Sequence, residues 1–320
     1  MLFMPARSIL ITGGAGFIGS HTAARFLGEG WRVGILDDFN DFYDPAVKLA
    51  NVSSLPGPVE VFHADIRDKS AVQKAFAPGW DVVIHLAARA GVRPSILHPE
   101  IYVQTNVLGT LHVLEAAVGA GVKKFVFASS SSVYGATEEV PFRESTPLRR
   151  TFSPYAATKV GAEQLCSSYA NLHDLPTVVL RFFTVYGPSQ RPDLAIHKFT
   201  RAVWEGKPVE QFGDGSSRRD YTYVDDIVQG IRGAVDYRRS KFDVFNLGES
   251  ETTSLSELIA VIEKSVGKKA LIERKPDQPG DMPATWADIS KARLLLGYSP
   301  KTKIAEGIPK FVDWFRASVS

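Results

Sequence analysis

Short apolar runs alternate with longer mixed segments along the first half of the chain. The runs fall at 8–12, 32–36, 59–62, 82–86, 125–128 and 177–181. Most are nearly continuous in apolar residues, the pattern of strands covered on both faces. After the first run, Ala23, Ala24, Phe26 and Leu27 follow helical spacing and stop near Gly28 and Gly30. Strands alternating with helix-length segments predict βαβ units and a parallel sheet. Beyond residue 184 the rhythm breaks and Pro, Gly and Arg become frequent, as in Gly187-Pro188, Arg191-Pro192 and Gly206-Lys207-Pro208. A later helix is expected at 256–266, followed by a Pro-rich stretch at 275–283. The pattern predicts an α/β protein. A doubly wound parallel sheet occupies 1–183, with a return segment around 219–248, and a smaller α/β substrate domain occupies 184–320.

The loop after the first run gives the sheet a purpose. Thr12-Gly13-Gly14-Ala15-Gly16-Phe17-Ile18-Gly19 lies between the first strand and the first helix and contains G-x-G-x-x-G. In that context it is the Rossmann dinucleotide fingerprint. The early glycines allow a tight turn and close approach to a pyrophosphate, the last lets the helix pack near the sheet, and the helix N-terminus faces the phosphates. Gly13, Gly16, Phe17, Ile18 and Gly19 are therefore candidate cofactor contacts. Asp37 closes the second strand, about 20 residues on, where a carboxylate accepts from a ribose 2′-OH and repels a 2′-phosphate. That favours NAD over NADP, with Asp38 as an alternative for the role. Asp65 and Ile66 follow the third strand within reach of an adenine. Leu86, Ala87 and Ala88 follow the fourth, where small residues let a dinucleotide lie close.

Tyr155 and Lys159 supply candidate chemistry. Ser153 reads as a helix N-cap and Pro154 as the first helical position. Residues i and i+4 then share a face. A phenol is a poor base near neutral pH, and a nearby cation favours the phenolate. The pair reads as a proton-transfer device.

Composition narrows the setting. Formal charge is +2, which gives no basic face for nucleic acid. A single cysteine, Cys166, rules out an intrachain disulfide and a Cys metal cluster. It is expected as a small buried residue of the helix that Tyr155 opens. No apolar run approaches the ~18 residues of a membrane span, and the N-terminus lacks a signal-peptide h-region. The expectation is a cytoplasmic protein with no metal, membrane or nucleic-acid partner.

These motifs, with Asp65-Ile66, His85-Leu86-Ala87-Ala88, Asn106 and the serines before Val133-Tyr134-Gly135, resemble the extended short-chain dehydrogenase/reductases over essentially the whole length. Within that superfamily the chain is similar to nucleotide-sugar epimerases, above all UDP-glucuronate 4-epimerases. Four strings carry this: 37–45, Ala90-Gly91-Val92-Arg93, 181–188 and 191–195. The resemblance implies a redox-neutral inversion. Tyr155, as phenolate, takes the proton of the sugar 4′-OH while C4′ gives its hydride to NAD. The 4-keto sugar turns over, and the hydride returns to the opposite face. Lys159 holds the nicotinamide ribose and depresses the Tyr155 pKa. Ser130 hydrogen-bonds the 4′ oxygen, and Asn106 helps orient the site. Arg93, Arg191, Lys198 and Arg219 fall at substrate positions, and Asp281 accepts from the uridine ribose. Galactose-type epimerases carry Arg where this chain has Gln278. Phe212 packs near the uracil or in the core. Relatives dimerise through two helices, here 109–120 and 155–173, so a homodimer is implied.

The serine cluster separates epimerisation from its neighbours. Related dehydratases carry Asp-Glu where this chain has Ser131-Ser132, and related decarboxylases carry Glu where it has Ser132. Elimination needs a base and an acid, and serine supplies neither. Hydroxyls of Ser131, Ser132 and Thr184 could instead hold a C6 carboxylate out of line with the keto group. Three rival readings remain: a UDP-glucose/UDP-galactose 4-epimerase, a catalytically silent NAD-binding scaffold, and a dehydrogenase that consumes NAD and would accumulate NADH.

Overall fold

The computed structural model describes residues 7–137, 139–276 and 284–319. They form two compact units. The first comprises Met1–Thr137, Glu144–Arg181 and Gly230–Phe245; the second comprises Glu138–Arg143, Phe182–Gln229 and Asn246–Ser320.

The main sheet has seven strands: β1 (Ser8–Thr12), β2 (Arg32–Asp37), β3 (Glu60–His63), β4 (Val82–His85), β5 (Lys124–Ser130), β6 (Thr177–Phe182) and Phe242–Leu247. Its order is β3-β2-β1-β4-β5-β6 followed by the seventh strand. The pairs β1–β2, β2–β3, β1–β4 and β4–β5 are parallel. This is the doubly wound order, with its switch point between β1 and β4. Ile9, Leu10 and Ile11 of β1 are wholly buried, as a central strand requires. The edge strand β3 is mostly exposed, so its apolar run was a poor guide to depth.

Helices α1 (Phe17–Gly28), α2 (Pro45–Ser53) and α3 (Lys69–Phe76) follow the first three strands. Asp44 caps α2 through Ala46 N, and Asp68 caps α3 through Ser70 N and Ala71 N. Short helices α4 (Val92–Leu97) and α5 (Pro99–Tyr102) lead into a seven-residue π-helix, Val103–Gly109, and then α6 (Thr110–Gly119). The sequence predicted a helix only from 109. A π stretch of this length is rare and has a local use described below. Helix α7 (Pro154–Leu172) begins as read, with Ser153 accepting from Ala156 N and Pro154 at the first position. Side chains from α3, α6 and α7 meet β-sheet residues in one apolar core that includes Leu10, Val83, Phe125 and Cys166. Burial pushes the Cys166 thiol up, so it is an inert core residue.

In the second unit Thr184–Tyr186 pairs in parallel with Tyr221–Tyr223. Arg218–Arg219 lies between Thr253–Ser254 and Ala284–Thr285. The helix read at 256–266 spans Leu255–Val266, and Ser254 and Glu257 close its capping box. Among the described residues, no helix is long and apolar enough to cross a membrane, and no group of three or more His, Cys, Asp or Glu could hold a metal.

Candidate active site

The glycine loop leaves β1 at the switch point. Gly13 has φ +69°, and a Cβ there would stand 2.7 Å from Ala87 N. The loop therefore lies directly against the start of the 86–89 loop that leaves β4. A Cβ on Gly19 would fall 2.1 Å from Gly13 O, so the first turn of α1 can sit this close to the loop only as glycine. Gly16 is the N-cap of α1, with no side-chain cap and no acidic residue in the first turn. Phe17 is buried and Ile18 half-buried, so both offer backbone rather than side chain at that end. The result is an anion cradle with a second wall made by Leu86, Ala87 and Ala88.

Asp37 ends β2 almost fully buried. Its Oδ2 accepts from Ala15 N at 3.2 Å and its Oδ1 from Phe39 N at 3.0 Å. Lys48 Nζ lies 3.6 Å from Asp37 and 3.9 Å from Asp38. Burial pushes the Asp37 carboxyl up, and Lys48 and the two amides pull against it. Lys48 comes from α2 and was not visible as a site residue, because nothing in its spacing marks it. Asp65 is held by Arg67, with Nε 2.8 Å from Oδ2; burial would raise its pKa, and the Arg67 contacts more than offset this. Ile66 turns its side chain into the core against Gly109, and His112 Nδ1 lies 3.0 Å from its carbonyl oxygen.

Tyr155 stands half-buried on the first turn of α7, edge-on to Tyr102 with ring centroids 6.3 Å apart. Tyr102 is itself fixed by a hydrogen bond to Ala90 O at 2.9 Å. Lys159, one turn on, is 4% exposed; its Nζ donates to Ala128 O at 2.7 Å and sits 4.9 Å from the Phe127 ring centroid. Burial lowers its pKa to about 8, with Cys166 and Glu163 opposing. Ser130 caps a 3₁₀ turn, Ser131–Tyr134, by accepting from Ser132 N at 3.2 Å. Ser131 and Ser132 are half-buried on that turn. Asn106 is in the π-helix, not at a helix cap. Its amide is engaged by Arg89 N and O and by Thr158, so it acts by holding the 86–89 loop and α7. Arg93 is exposed on α4.

The remaining candidates belong to the second unit. Thr184 is exposed at the start of its strand, with its amide donating to Asp220 O at 3.1 Å. Arg191 is half-buried and bonded twice to Asp193, at 2.9 Å each. Lys198 is exposed on the helix Ala195–Glu205. Arg219 is half-buried, with Nη1 donating to Arg218 O at 2.9 Å. Phe212 is half-buried at a strand end. Asp281 and Gln278 lie outside the described residues.

Known proteins share this fold. Residues 10–311 match the profile of the family described as GDP-mannose 4,6 dehydratase. The chain belongs to the GDP-mannose 4,6 dehydratase family. It is 41% identical over 314 residues to a UDP-glucuronate 4-epimerase of Thermodesulfobacterium geofontis, covering 97% of this chain and 96% of that one. A crystal structure of the Bacillus cereus UDP-glucuronic acid 4-epimerase, in complex with UDP-glucuronic acid and NAD, superposes with TM-score 0.89 at 37% identity, covering 97% of this chain and 99% of that one. The Thermotoga maritima UDP-glucose 4-epimerase, solved with UDP-glucose, superposes at 0.90 with 32% identity, covering 98% and 100%. In this member of the GDP-mannose 4,6 dehydratase family, the turn after β5 carries serines and no carboxylate at 130–132.

Proposed function

We propose that the chain is an NAD-dependent isomerase that inverts C4′ of UDP-glucuronate to give UDP-galacturonate. The observation that carries this reading is the catalytic helix start beside a carboxylate-free serine turn. Tyr155 and Lys159 share the first turns of α7, while the Ser131–Tyr134 turn offers nothing ionisable before Tyr134. Such a site can move a proton at an alcohol oxygen but has no second acid or base for elimination or decarboxylation. The similarity to UDP-glucuronate 4-epimerases supports the same substrate.

The cradle fits NAD on the structure's own terms, since Gly13 and Gly19 let the loop, the start of α1 and the 86–89 loop pack closer than any Cβ would allow. Gly13, Gly16, Phe17, Ile18 and Gly19 receive the pyrophosphate by backbone. Asp37, with Lys48 behind it, receives the adenosine ribose; Asp65, Ile66, Leu86, Ala87 and Ala88 flank the adenine and pyrophosphate. When bound, NAD supplies a hydride acceptor that gives the hydride back.

Tyr155 accepts the 4′-OH proton and returns it. Lys159 keeps positive charge near that oxygen and the nicotinamide ribose, and Ser130 hydrogen-bonds the 4′ oxygen. Ser131, Ser132 and Thr184 hold the C6 carboxylate. Arg93, Arg191, Lys198 and Arg219 meet the substrate's charges, with Asp281 on the uridine ribose. Units one and two thus correspond to cofactor and substrate domains. Exposed Val103, Leu108 and Leu172, on the π-helix and α7, support a homodimer, and we place the enzyme in the cytoplasm.

The test is to incubate the purified protein with UDP-glucuronate and resolve UDP-galacturonate from 4-keto-pentose products. Appearance of UDP-galacturonate without net NADH supports the reading. A kcat/KM larger for UDP-glucose than for UDP-glucuronate replaces it with the UDP-glucose/UDP-galactose reading, which the Thermotoga maritima likeness favours.

A further inference from the structure

We propose that His85 is a positioning residue that ties the 86–89 loop at the switch point to the first turn of α7, through a buried hydrogen-bond chain of one fixed direction. Thr12 and His85 are register partners at the C-terminal ends of β1 and β4. Thr12 Oγ1 lies 2.6 Å from His85 Nδ1, and His85 Nε2 lies 2.9 Å from Thr110 Oγ1. Ala87 N donates to Thr12 Oγ1 at 3.2 Å, and Thr110 Oγ1 donates to Asn106 O at 2.7 Å.

The two ends set the direction of every link. A backbone N–H can only donate and a carbonyl can only accept. The Thr110 hydroxyl gives its one hydrogen to Asn106 O, so it must accept from His85 Nε2. Nδ1 is then an acceptor and takes the hydrogen of Thr12, whose oxygen accepts from Ala87. The ring is therefore neutral and carries its proton on Nε2. A second ring proton would leave the Thr12 hydrogen with no acceptor in the chain. Burial agrees, lowering the His85 pKa to about 3, with Lys159 as the other contributor. The charged and aromatic groups facing the ring are Lys159, Phe125 and Phe127.

The chain continues through the Asn106 side chain. Its Oδ1 accepts from Arg89 N at 2.8 Å; its Nδ2 donates to Arg89 O at 3.0 Å and to Thr158 Oγ1 at 3.1 Å. Thr158 Oγ1 donates to Tyr155 O at 2.8 Å. Asn106 lies in the π-helix and Thr110 opens α6, four residues on, where its hydroxyl reaches back to the Asn106 carbonyl. His85, Thr12, Thr110, Asn106 and Thr158 are each no more than 4% exposed, so no water competes. Ala87, at the closest approach to Gly13, and the turn bearing Tyr155 are thus set by one network.

The kinetic part of the inference rests on the epimerase reading; the tautomer does not. Nitrogen-15 histidine NMR of the whole protein should show His85 as the neutral Nε2–H tautomer from about pH 5.5 to 9. An Nδ1–H signal, or titration in that window, overturns the proposal whether or not the protein turns over UDP-glucuronate. His85→Phe keeps bulk but strands two hydroxyls. It should lower kcat for UDP-glucuronate about tenfold to hundredfold with KM within about threefold, because the loop and the Tyr155 turn shift together. His85→Gln, which can still donate to Thr110, should recover part of the loss. If His85→Phe does not fold, Thr110→Val breaks the same chain and should show the same split. An unchanged kcat in the folded variant overturns the proposal, as does a rise in KM alone. Absence of turnover in the unaltered protein sinks the epimerase reading and leaves the NMR result to decide this one.

Discussion

Glu163 and Arg181 form a two-point ion pair inside the first unit, Nε to Oε1 at 3.0 Å and Nη2 to Oε2 at 2.8 Å, with side chains 3% and 5% exposed. Ser129 donates to the same carboxylate, and the Arg181 guanidinium lies 4.9 Å from the Tyr134 ring centroid. The pair therefore braces both ends of the serine turn, which Ser129 precedes and Tyr134 closes. Replacing one partner strands the other's charge in the interior. Glu163→Gln is expected to cost about 3–5 kcal/mol in denaturant unfolding. Adding Arg181→Met should recover more than half of that, because the double variant leaves no buried charge unmatched.

Two glycines of α1 should respond in opposite ways. Gly19→Ala places a methyl 2.1 Å from Gly13 O, a backbone atom that cannot yield without moving the loop. NAD retained through purification is expected to fall at least about tenfold, since the pyrophosphate cradle is displaced. Gly28 is exposed, and a Cβ there meets nothing within 4 Å. Gly28→Ala should raise stability by up to about 1 kcal/mol in thermal unfolding and leave NAD content alone.

The Tyr155–Lys159 pair predicts a bell in kcat against pH. On the acid side the rate falls as the phenol keeps its proton. On the alkaline side Lys159, with its pKa lowered by burial to about 8, loses the charge that favours the phenolate. The alkaline limb should therefore lie near 8, well below a free lysine. Tyr155→Phe is expected to lower kcat by about 10²–10⁴-fold with NAD still bound. A profile flat between pH 7 and about 9.5 would remove Lys159 from this role.

Asp220 anchors the strand that carries Arg219. Its carboxylate accepts from Glu249 N at 2.7 Å, Ser250 N and Ala287 N at 3.1 Å each, and Thr222 Oγ1 at 2.9 Å. Every partner is a donor, so Asp220→Asn would turn an NH₂ group toward at least one N–H. The expected cost is about 1–3 kcal/mol in stability. Because Arg219 is the adjacent residue, KM for UDP-glucuronate should rise while kcat stays within about threefold. Steady-state kinetics at 25 °C measure the split.

The rhythm of apolar runs predicted the parallel sheet because a strand covered on both faces needs a continuous apolar stretch, as Ile9–Ile11, Val82–Ile84 and Phe125–Ala128 supply. The start of α7 was equally plain, since Ser153 and Pro154 act locally. What escaped was decided by the third dimension. His85 reads as one polar letter in an apolar run, yet its partners Thr12 and Thr110 lie 73 and 25 residues away. Lys48 meets Asp37 only because α2 folds back over the end of β2. Glu163 stands one turn beyond Lys159 on α7, but its partner is 18 residues on, in β6. No local propensity marks a π-helix, so the element that carries Asn106 was not foreseen. Arg191 was read at a substrate position, and its two-point pairing with Asp193 was not foreseen.

Thr184 tests what keeps a keto acid intact. Its side chain is exposed at the start of its strand while its amide is fixed by Asp220 O, so the hydroxyl can be removed without unmaking the backbone pairing. A 4-keto intermediate of UDP-glucuronate loses CO₂ once the carboxylate C–C bond aligns with the carbonyl π-system. A hydroxyl that hydrogen-bonds the carboxylate opposes that alignment. Thr184→Val is nearly isosteric and deletes only this bond. Folded Thr184→Val is expected to lower UDP-glucuronate turnover about tenfold and to divert a measurable share of product to a 4-keto pentose, while UDP-glucose turnover, with no carboxylate to hold, changes little. Quantifying both products by chromatography decides it. Unchanged turnover with full retention of the acid would show that Ser131 and Ser132 suffice, or that the carboxylate is held elsewhere.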